Sequence, residues 1–229
     1  MTEITRTLRG NDFDKFIDDS VFATKPRGSL YRDGFKRALD IVLVLIAALP
    51  VMIVIGMLAL IVARDGASPF YFQKRVGRGG RVFRMMKLRS MVPNADSLLE
   101  AHLAADPEAR AEWNRDQKLR NDPRITPIGR FIRKASFDEL PQLWNVLKGD
   151  MALVGPRPMM VEQQDLYPGS AYYALRPGLT GPWQVSARND SSFAERSHYD
   201  TGYLRDISFT TDLRIIAKTV DVVARGTGC

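Results

Sequence analysis

Two adjacent carboxylates, Asp138 and Glu139, lie in the segment of this 229-residue chain where chemically capable side chains are densest, from Arg133 to Pro158. The pattern places both acids at the beginning of a predicted helix, where free backbone N–H groups and the helix dipole favour negative charge. In such a pair, one acid could hold a divalent cation that screens phosphate charge while the other attacks phosphorus. A structural role is the alternative, because Ser136 and Glu139 have the spacing of a capping box.

Cationic and aromatic residues near the acid pair could bind a diphosphate and a nucleobase. Arg133, Lys134 and Arg157 can supply counter-charge, and the prolines on both sides of Arg157 in VGPRP restrict where its guanidinium points. The later segment RPGLTGPWQVSARND carries four side chains that could stack on or hydrogen-bond a base or a sugar, namely Trp183, Gln184, Arg188 and Asn189. A rigid surface turn and a packed loop with Trp183 in the core remain open as structural interpretations of these two segments.

The remaining residue types exclude several other kinds of chemistry. The two histidines, His102 and His198, are not part of an H-E-x-x-H motif, so a zinc hydrolase is not expected. The single cysteine, Cys229, excludes an intrachain disulfide framework and a cysteine-rich zinc module. A net charge of +7 favours anionic partners, which are nucleic acid, lipid headgroups or phosphorylated substrates.

A charge-free run from Ile41 to Ala63 predicts residence in a membrane. Leu, Ile and Val make up 15 of its 23 residues, and on the insertion scale these favour the bilayer by about 5 to 9 kcal/mol. Pro50 lies near the middle of the run and predicts a kink after Leu49. Four basic residues lie within fifteen positions on each side, which indicates that both ends stay on one, cytoplasmic, face. A kinked single span is the alternative.

A basic β-hairpin and a series of helices are predicted to follow the apolar run. Two strands, Phe70 to Val76 and Arg81 to Leu88, flank a glycine-rich turn. The stretch from Gly66 to Ala95 contains seven basic residues and no acid, so its charge equals the net charge of the chain. Capping and periodicity predict helices that begin near Asn94, Asp106 and Thr126, and a last helix from Asp212 to Ala224.

Several long motifs in a fixed order resemble the monotopic phosphoglycosyl transferases, the bacterial sugar transferase family that starts exopolysaccharide and glycan assembly on a polyprenyl phosphate. The motifs are KRALD, Pro50 in the apolar run, FRMMKLRSM, SFDELPQLWNVLKGDMALVGPRP, and RPGLTGPWQV followed by RND. The resemblance implies a mostly α-helical monotopic membrane protein with a small β-hairpin, a re-entrant helix broken at Pro50 and a cytoplasmic catalytic domain. The expected units are a polar lead-in (1–30), an amphipathic entry with the membrane helix (31–64) and the catalytic domain (65–229).

The resemblance also implies a reaction at the cytoplasmic face of the bacterial inner membrane. In it, Asp138 attacks the β-phosphate of a UDP-hexose, UMP leaves, and polyprenyl phosphate takes the phosphosugar from the covalent intermediate. Glu139 matches the family's Mg²⁺ ligand. The positions that match family residues near the phosphates or the nucleotide are Lys87, Arg89, Arg133, Arg157, Arg176, Gln184, Arg188 and Asn189. The expected sugar is galactose or glucose, with no choice made between them.

Two other functions would account for part of the sequence. A non-catalytic scaffold at the membrane surface would bind anionic lipid through the basic hairpin and would need neither Asp138 nor Mg²⁺. Nucleic-acid binding explains the charge but not the apolar run, so no nucleic-acid partner is expected. One departure from the family concerns Ala187, because many members have glycine just before the arginine that matches Arg188, and we expect a differently shaped loop there.

Overall fold

The computed structural model describes residues 30–116, 119–186 and 193–224. The helices are α1 Lys36–Val62, α2 Ala95–Ala105, α3 Pro107–Asp116, α4 Pro127–Lys134, α5 Gln142–Lys148, α6 Ala171–Ala174, α7 Pro182–Ser186, α8 Arg196–Asp206 and α9 Phe209–Ala224. The strands are β1 Phe70–Val76, β2 Val82–Leu88, β3 Ala152–Val154 and β4 Gly178–Thr180. The described chain is thus mostly helical with little sheet, as predicted. The predicted lead-in, up to residue 29, and Cys229 lie outside the described residues.

The predicted β-hairpin is confirmed. Strands β1 and β2 pair antiparallel, with a register that runs from Phe70 opposite Leu88 to Val76 opposite Val82. The connection contains Gly79 and Gly80 with φ of 68° and 79°. Such left-handed backbone conformations suit glycine because it has no Cβ. A second pair, β3 with β4, is parallel and was not predicted.

The helix starts predicted near Asn94, Asp106 and Thr126 agree with the structure, although not every predicted cap forms. The start predicted for the last helix at Asp212 is wrong, because α9 begins at Phe209, where the Ser208 Oγ accepts a hydrogen bond from the Thr211 amide at 3.2 Å. Thr126 caps α4, since its Oγ1 accepts a hydrogen bond from the Gly129 amide at 3.0 Å. Helix α2 begins directly after Asn94, whose side chain makes no capping hydrogen bond. The capping box predicted for Ser136 and Glu139 is wrong, because Ser136 has a left-handed backbone (φ 56°) and its side chain caps nothing.

The apolar run forms the helix α1, which is helical on both sides of Pro50. By length and composition it is the one helix among the described residues that could cross a membrane. Its middle carries large exposed apolar side chains, including Ile46 (71% exposed), Leu49 (73%) and Met52 (68%). In water such a surface would be costly, so the helix fits an apolar environment. The re-entrant arrangement stays a prediction.

Charged side chains of the KRALD motif bind the beginning of α1 to the rest of the protein. The Lys36 ammonium lies 2.6 Å from the buried carboxylate of Asp212 in α9. The Arg37 guanidinium donates to the carbonyl oxygens of Val146 (2.6 Å) and Leu147 (3.0 Å) near the end of α5. The Asp40 carboxylate accepts a hydrogen bond from the Leu153 amide of β3 at 3.3 Å. These charged side chains therefore hold the helix start against α5, β3 and α9.

The end of α1 is attached to the same body through β2 and its continuation. Leu58 and Val62 form a buried cluster with Leu88 of β2 and Ile132 of α4. The Arg89 guanidinium donates to the Val62 carbonyl oxygen at 3.2 Å and pairs with Asp65 at 2.6 Å. Both ends of the apolar helix thus contact one compact unit.

We predict that Lys36→Met destabilises the protein by about 3 kcal/mol, because it leaves a buried carboxylate without its cationic partner. Urea unfolding in detergent micelles measures the change. Arg205→Met is the matched control, since the Arg205–Asp206 pair is exposed (74% and 57%) and its loss has little effect. Equal unfolding midpoints for the two variants would contradict the anchoring role of Lys36.

Candidate active site

A buried asparagine fixes helix α5 against the free edge of β2. The Asn145 Oδ1 accepts from the Met86 amide at 3.0 Å, and its Nδ2 donates to the Arg84 carbonyl oxygen at 2.8 Å. The side chain thereby behaves like one more residue of a neighbouring strand and satisfies buried backbone groups. The segment that precedes α5 is therefore held beside Lys87.

Lys87 joins the two predicted catalytic acids. Its Nζ lies 3.2 Å from Asp138 Oδ2 and 3.4 Å from Glu139 Oε1. The acids occupy a short 3₁₀ turn, Phe137–Glu139, directly ahead of α5. The left-handed Ser136 stands at the start of this turn, and such strain in a non-glycine residue is often found at functional sites.

The Asp138 carboxyl is mostly shielded from solvent, with 15% of its side chain exposed. Burial raises the pKa of Asp138 above its usual range, and the charge of Glu139 raises it further, while Lys87 and Arg133 lower it. The lysine therefore helps to keep the carboxylate ionised in a site that disfavours charge.

Arg133 is set beside this group by close packing of α4. The Gly129 backbone lies so near Ser90 that an added Cβ would stand 1.9 Å from the Ser90 carbonyl oxygen, so the position needs glycine. The Arg133 Nε then donates to Ser90 Oγ at 2.8 Å. Burial lowers the pKa of Arg133, and Asp138 partly offsets that effect.

The two proline-rich motifs are joined through β3 and β4. The Gly155 amide donates to the Thr180 carbonyl oxygen at 2.9 Å, and the Gly178 amide donates to the Pro156 carbonyl oxygen at 2.8 Å. A Cβ on Gly178 would lie 2.1 Å from the Gly155 nitrogen, so the close contact between these two segments requires glycine at position 178. This pairing brings Arg157 to Trp183, with the guanidinium carbon 5.9 Å from the ring centroid.

Four of the predicted residues line one small pocket, namely Lys87, Glu139, Arg157 and Gln184. The Gln184 Oε1 is buried without a hydrogen-bond partner. Arg75 and Gln142 line the same pocket and were not predicted as site residues from the sequence. A larger groove lies elsewhere, near His198 and Tyr199, but neither acid of the pair nor Lys87 lines it.

Arg75 could have been found from the hairpin register. It lies opposite Phe83, and residues directly opposite each other point to the same face, so Arg75 shares a face with Phe83, Met85 and Lys87. Burial lowers the pKa of Arg75 to about 10, and the neighbouring charge of Arg157 adds to this effect. The guanidinium nitrogen Nε of Arg75 is buried without a partner.

Two residues of α8, Arg196 and Asp200, were also not predicted as site residues. The Arg196 guanidinium carbon lies 4.1 Å from the Trp183 ring centroid, and burial lowers the pKa of Arg196 to about 10. Asp200 accepts from the Tyr167 hydroxyl at 2.8 Å, and burial raises the pKa of Asp200 to about 7. No signal in the sequence separates these residues from the other charged side chains of α8.

Four predicted residues, Asp138, Arg133, Arg89 and Arg176, are not part of the pocket lining, and two more are not described. Asp138 and Arg133 lie beside Lys87 and Asp138, respectively. Arg89 is engaged at the end of α1 with Asp65 and Val62. The Arg176 Nε donates to the Gly149 carbonyl oxygen at 3.1 Å. The segment that contains Arg188, Asn189 and Ala187 lies outside the described residues.

The acid pair fits a magnesium site of the kind that substrate phosphates complete. Among the described residues no three His, Cys, Asp or Glu side chains are gathered into a metal cluster. Mg²⁺ commonly binds one or two carboxylates together with phosphate oxygens and water. Glu139, whose side chain is 28% exposed and lines the pocket, is the carboxylate of the pair that could hold such an ion.

Comparison with known proteins identifies the family. The bacterial sugar transferase family matches residues 31–226. The chain is 50% identical over 198 residues to the undecaprenyl-phosphate galactose phosphotransferase of Salmonella typhimurium, covering 84% of this chain and 41% of that protein. It is 49% identical over 193 residues to the UDP-galactose-lipid carrier transferase of Erwinia amylovora, covering 83% and 39%.

A third relative has nearly the same length. The exopolysaccharide production protein ExoY of Rhizobium meliloti is 40% identical over 218 residues, which cover 93% of this chain and 94% of that protein. The chain thus spans about two-fifths of the Salmonella and Erwinia proteins but almost all of the Rhizobium protein. The match over 31–226 includes α1, the hairpin and the acid pair. The chain therefore belongs to the bacterial sugar transferase family.

Proposed function

We propose that this enzyme transfers a hexose-1-phosphate from a UDP-hexose to polyprenyl phosphate and releases UMP, as the first membrane step in building an exopolysaccharide or related glycan. The names of relatives support this reaction, among them the undecaprenyl-phosphate galactose phosphotransferase of Salmonella typhimurium and the UDP-glucose:undecaprenyl-phosphate glucose-1-phosphate transferase of Caulobacter vibrioides. These names include both galactose and glucose, so the hexose is left unspecified. Membership of an enzyme family disfavours a non-catalytic scaffold.

One observation carries the proposal: a mostly buried carboxylate, Asp138, shares the Lys87 ammonium with Glu139, and Lys87 and Glu139 both line a cationic pocket. In the first step a carboxylate oxygen of Asp138 attacks the β-phosphorus, the bond from phosphorus to the bridging oxygen breaks, and UMP leaves with that oxygen. In the second step a phosphate oxygen of the acceptor attacks the same phosphorus. The bond to Asp138 breaks, and the carboxylate is regenerated.

The surrounding cations suit the charge of the donor. Arg157 and Arg75 line the pocket, and Arg133 is held beside Asp138. Burial lowers the pKa of Arg75 and the charge of Arg157 lowers it further, so two like charges lie close together. A bound diphosphate would relieve this repulsion and gain charge-assisted hydrogen bonds in a site with little water. Mg²⁺ held by Glu139 and the phosphates would add charge neutralisation as UMP departs.

The attachment of α1 supports a re-entrant helix on the cytoplasmic face. A straight helix of 27 residues is roughly 40 Å long and would place its two ends on opposite sides of a bilayer. Here the start of the helix contacts α5, β3 and α9, while the end contacts β2 and α4. Because both ends reach one catalytic body, the body and both ends would share the face at which soluble UDP-hexose meets the lipid acceptor.

We predict that Asp138→Asn lowers UMP release from a UDP-hexose by roughly 10³-fold or more, because the amide is not a competent nucleophile. The assay contains Mg²⁺ and polyprenyl phosphate and compares a panel of UDP-sugars. Asp165→Asn, at an exposed acid, is the matched control and is expected to behave as the wild type. Near-normal turnover by Asp138→Asn would rule out this residue as the nucleophile.

We also predict that Lys87→Met moves the acidic limb of the kcat/KM profile to higher pH by about one unit. The attacking form of Asp138 is the carboxylate, so activity is lost as the pH falls through its raised pKa. The Lys87 charge lowers that pKa, and its removal raises the pKa further. Lys87→Arg keeps a cation and should leave the limb near its original pH. A limb that stays in place in Lys87→Met would contradict electrostatic support of Asp138 by Lys87.

A further inference from the structure

An exposed phenylalanine lies next to the catalytic turn. Phe131, in α4, is 54% exposed, although Arg130 before it in sequence and Lys134 one turn later are charged. Its ring packs edge-on against Phe137, with 5.9 Å between centroids. Phe137 immediately precedes Asp138 in the same 3₁₀ turn.

The inner ring of this pair connects to the apolar helix. Phe137 packs against the buried cluster that contains Leu58 and Val62 of α1. The same end of α1 carries large exposed apolar side chains, among them Met57 (55% exposed) and Leu60 (75%). Apolar contacts thus lead from the helix that fits the bilayer to the residue beside the nucleophile.

The acceptor of the proposed reaction needs a continuous apolar surface of this kind. Its phosphate must reach Asp138, yet each methylene of its prenyl chain costs about 0.8 kcal/mol to expose to water. An apolar surface that ends at the catalytic turn would let the chain stay out of water while the phosphate reacts. The exposed cations Arg130 and Lys134 on either side of Phe131 in sequence suit the charge of the phosphate.

We propose that Phe131 and Phe137 form the binding surface for the first isoprene units of the polyprenyl phosphate acceptor. This inference rests on the proposed function and assigns one of its substrates to a surface. Phe131 is the ring exposed to the ligand, and Phe137 supports it from the buried side. Bulk bilayer lipid is the competing occupant of the same surface.

The test compares two acceptors that share a phosphate and differ in chain length, undecaprenyl phosphate and the short, water-soluble geranyl phosphate. Phe131→Ala is expected to raise KM for the long acceptor roughly tenfold, with kcat changed little. Turnover of geranyl phosphate at subsaturating concentration should change less, since most of the prenyl contact is missing. Phe131→Leu should restore much of the affinity for the long acceptor. Leu166→Ala, which also removes an exposed apolar side chain (64%), is the matched control.

Two further measurements distinguish a failure of the Phe131 assignment from a failure of the proposed function. Exchange of labelled UMP into UDP-hexose without acceptor reports the donor half-reaction, and it should be unchanged in Phe131→Ala. Absence of exchange in the wild type would instead contradict the proposed function. An unchanged KM of Phe131→Ala for undecaprenyl phosphate, or an equal loss of activity with both acceptors, would overturn the assignment of Phe131. Loss of co-flotation with vesicles of phosphatidylethanolamine and phosphatidylglycerol would overturn it in favour of bulk lipid.

Discussion

A buried carboxylate, Asp212, holds the start of the apolar helix, and the position of that helix governs the rest of the structure. The carboxylate accepts hydrogen bonds from Lys36, Tyr31 and Tyr203 at 2.6, 2.7 and 2.6 Å. Burial of a charge is costly unless it is paired and hydrogen-bonded, so these donors need to be present together. Lys36 begins α1, Tyr31 lies in the helical turn just before it and Tyr203 lies in α8, so the pairing joins distant parts of the chain. With Arg89 at the other end, it fixes α1 on one body.

Strand β2 links that membrane attachment to the chemistry. Successive residues of a strand point to opposite faces, so Leu88 can enter the apolar cluster with Leu58 and Val62 while Lys87 reaches the acid pair. Asn145 binds the edge of the same strand and thereby places the segment that carries Asp138. Asp138, the carboxylate proposed as the nucleophile, thus pairs with the strand residue next to Leu88, which packs against α1.

Local sequence patterns predicted most of the helices and strands, whereas tertiary contacts determine what individual side chains bind. The hairpin follows from glycine and alternation, and the start of α4 follows from Thr126 and Pro127, because both depend on nearby residues. The motif around Asp138 and Glu139 also predicted the two carboxylates that lie beside Lys87, and their catalytic role stays a prediction. The bonding of Arg89 to the end of α1 depends on residues 24 and 27 positions away, which periodicity does not reveal. The same holds for Arg196 on Trp183, and for the left-handed Ser136, whose conformation runs against its residue type.

We propose above all that both ends of α1 lie on the same side of the membrane as the catalytic body. Single cysteines introduced by Leu30→Cys or Ser68→Cys in a Cys229→Ser background test it most directly. An impermeant maleimide is applied to spheroplasts and to inverted inner-membrane vesicles. The account predicts that both positions react in inverted vesicles and that neither reacts in spheroplasts. Reaction of one position in spheroplasts and of the other only in inverted vesicles would show a membrane-spanning helix and contradict the account.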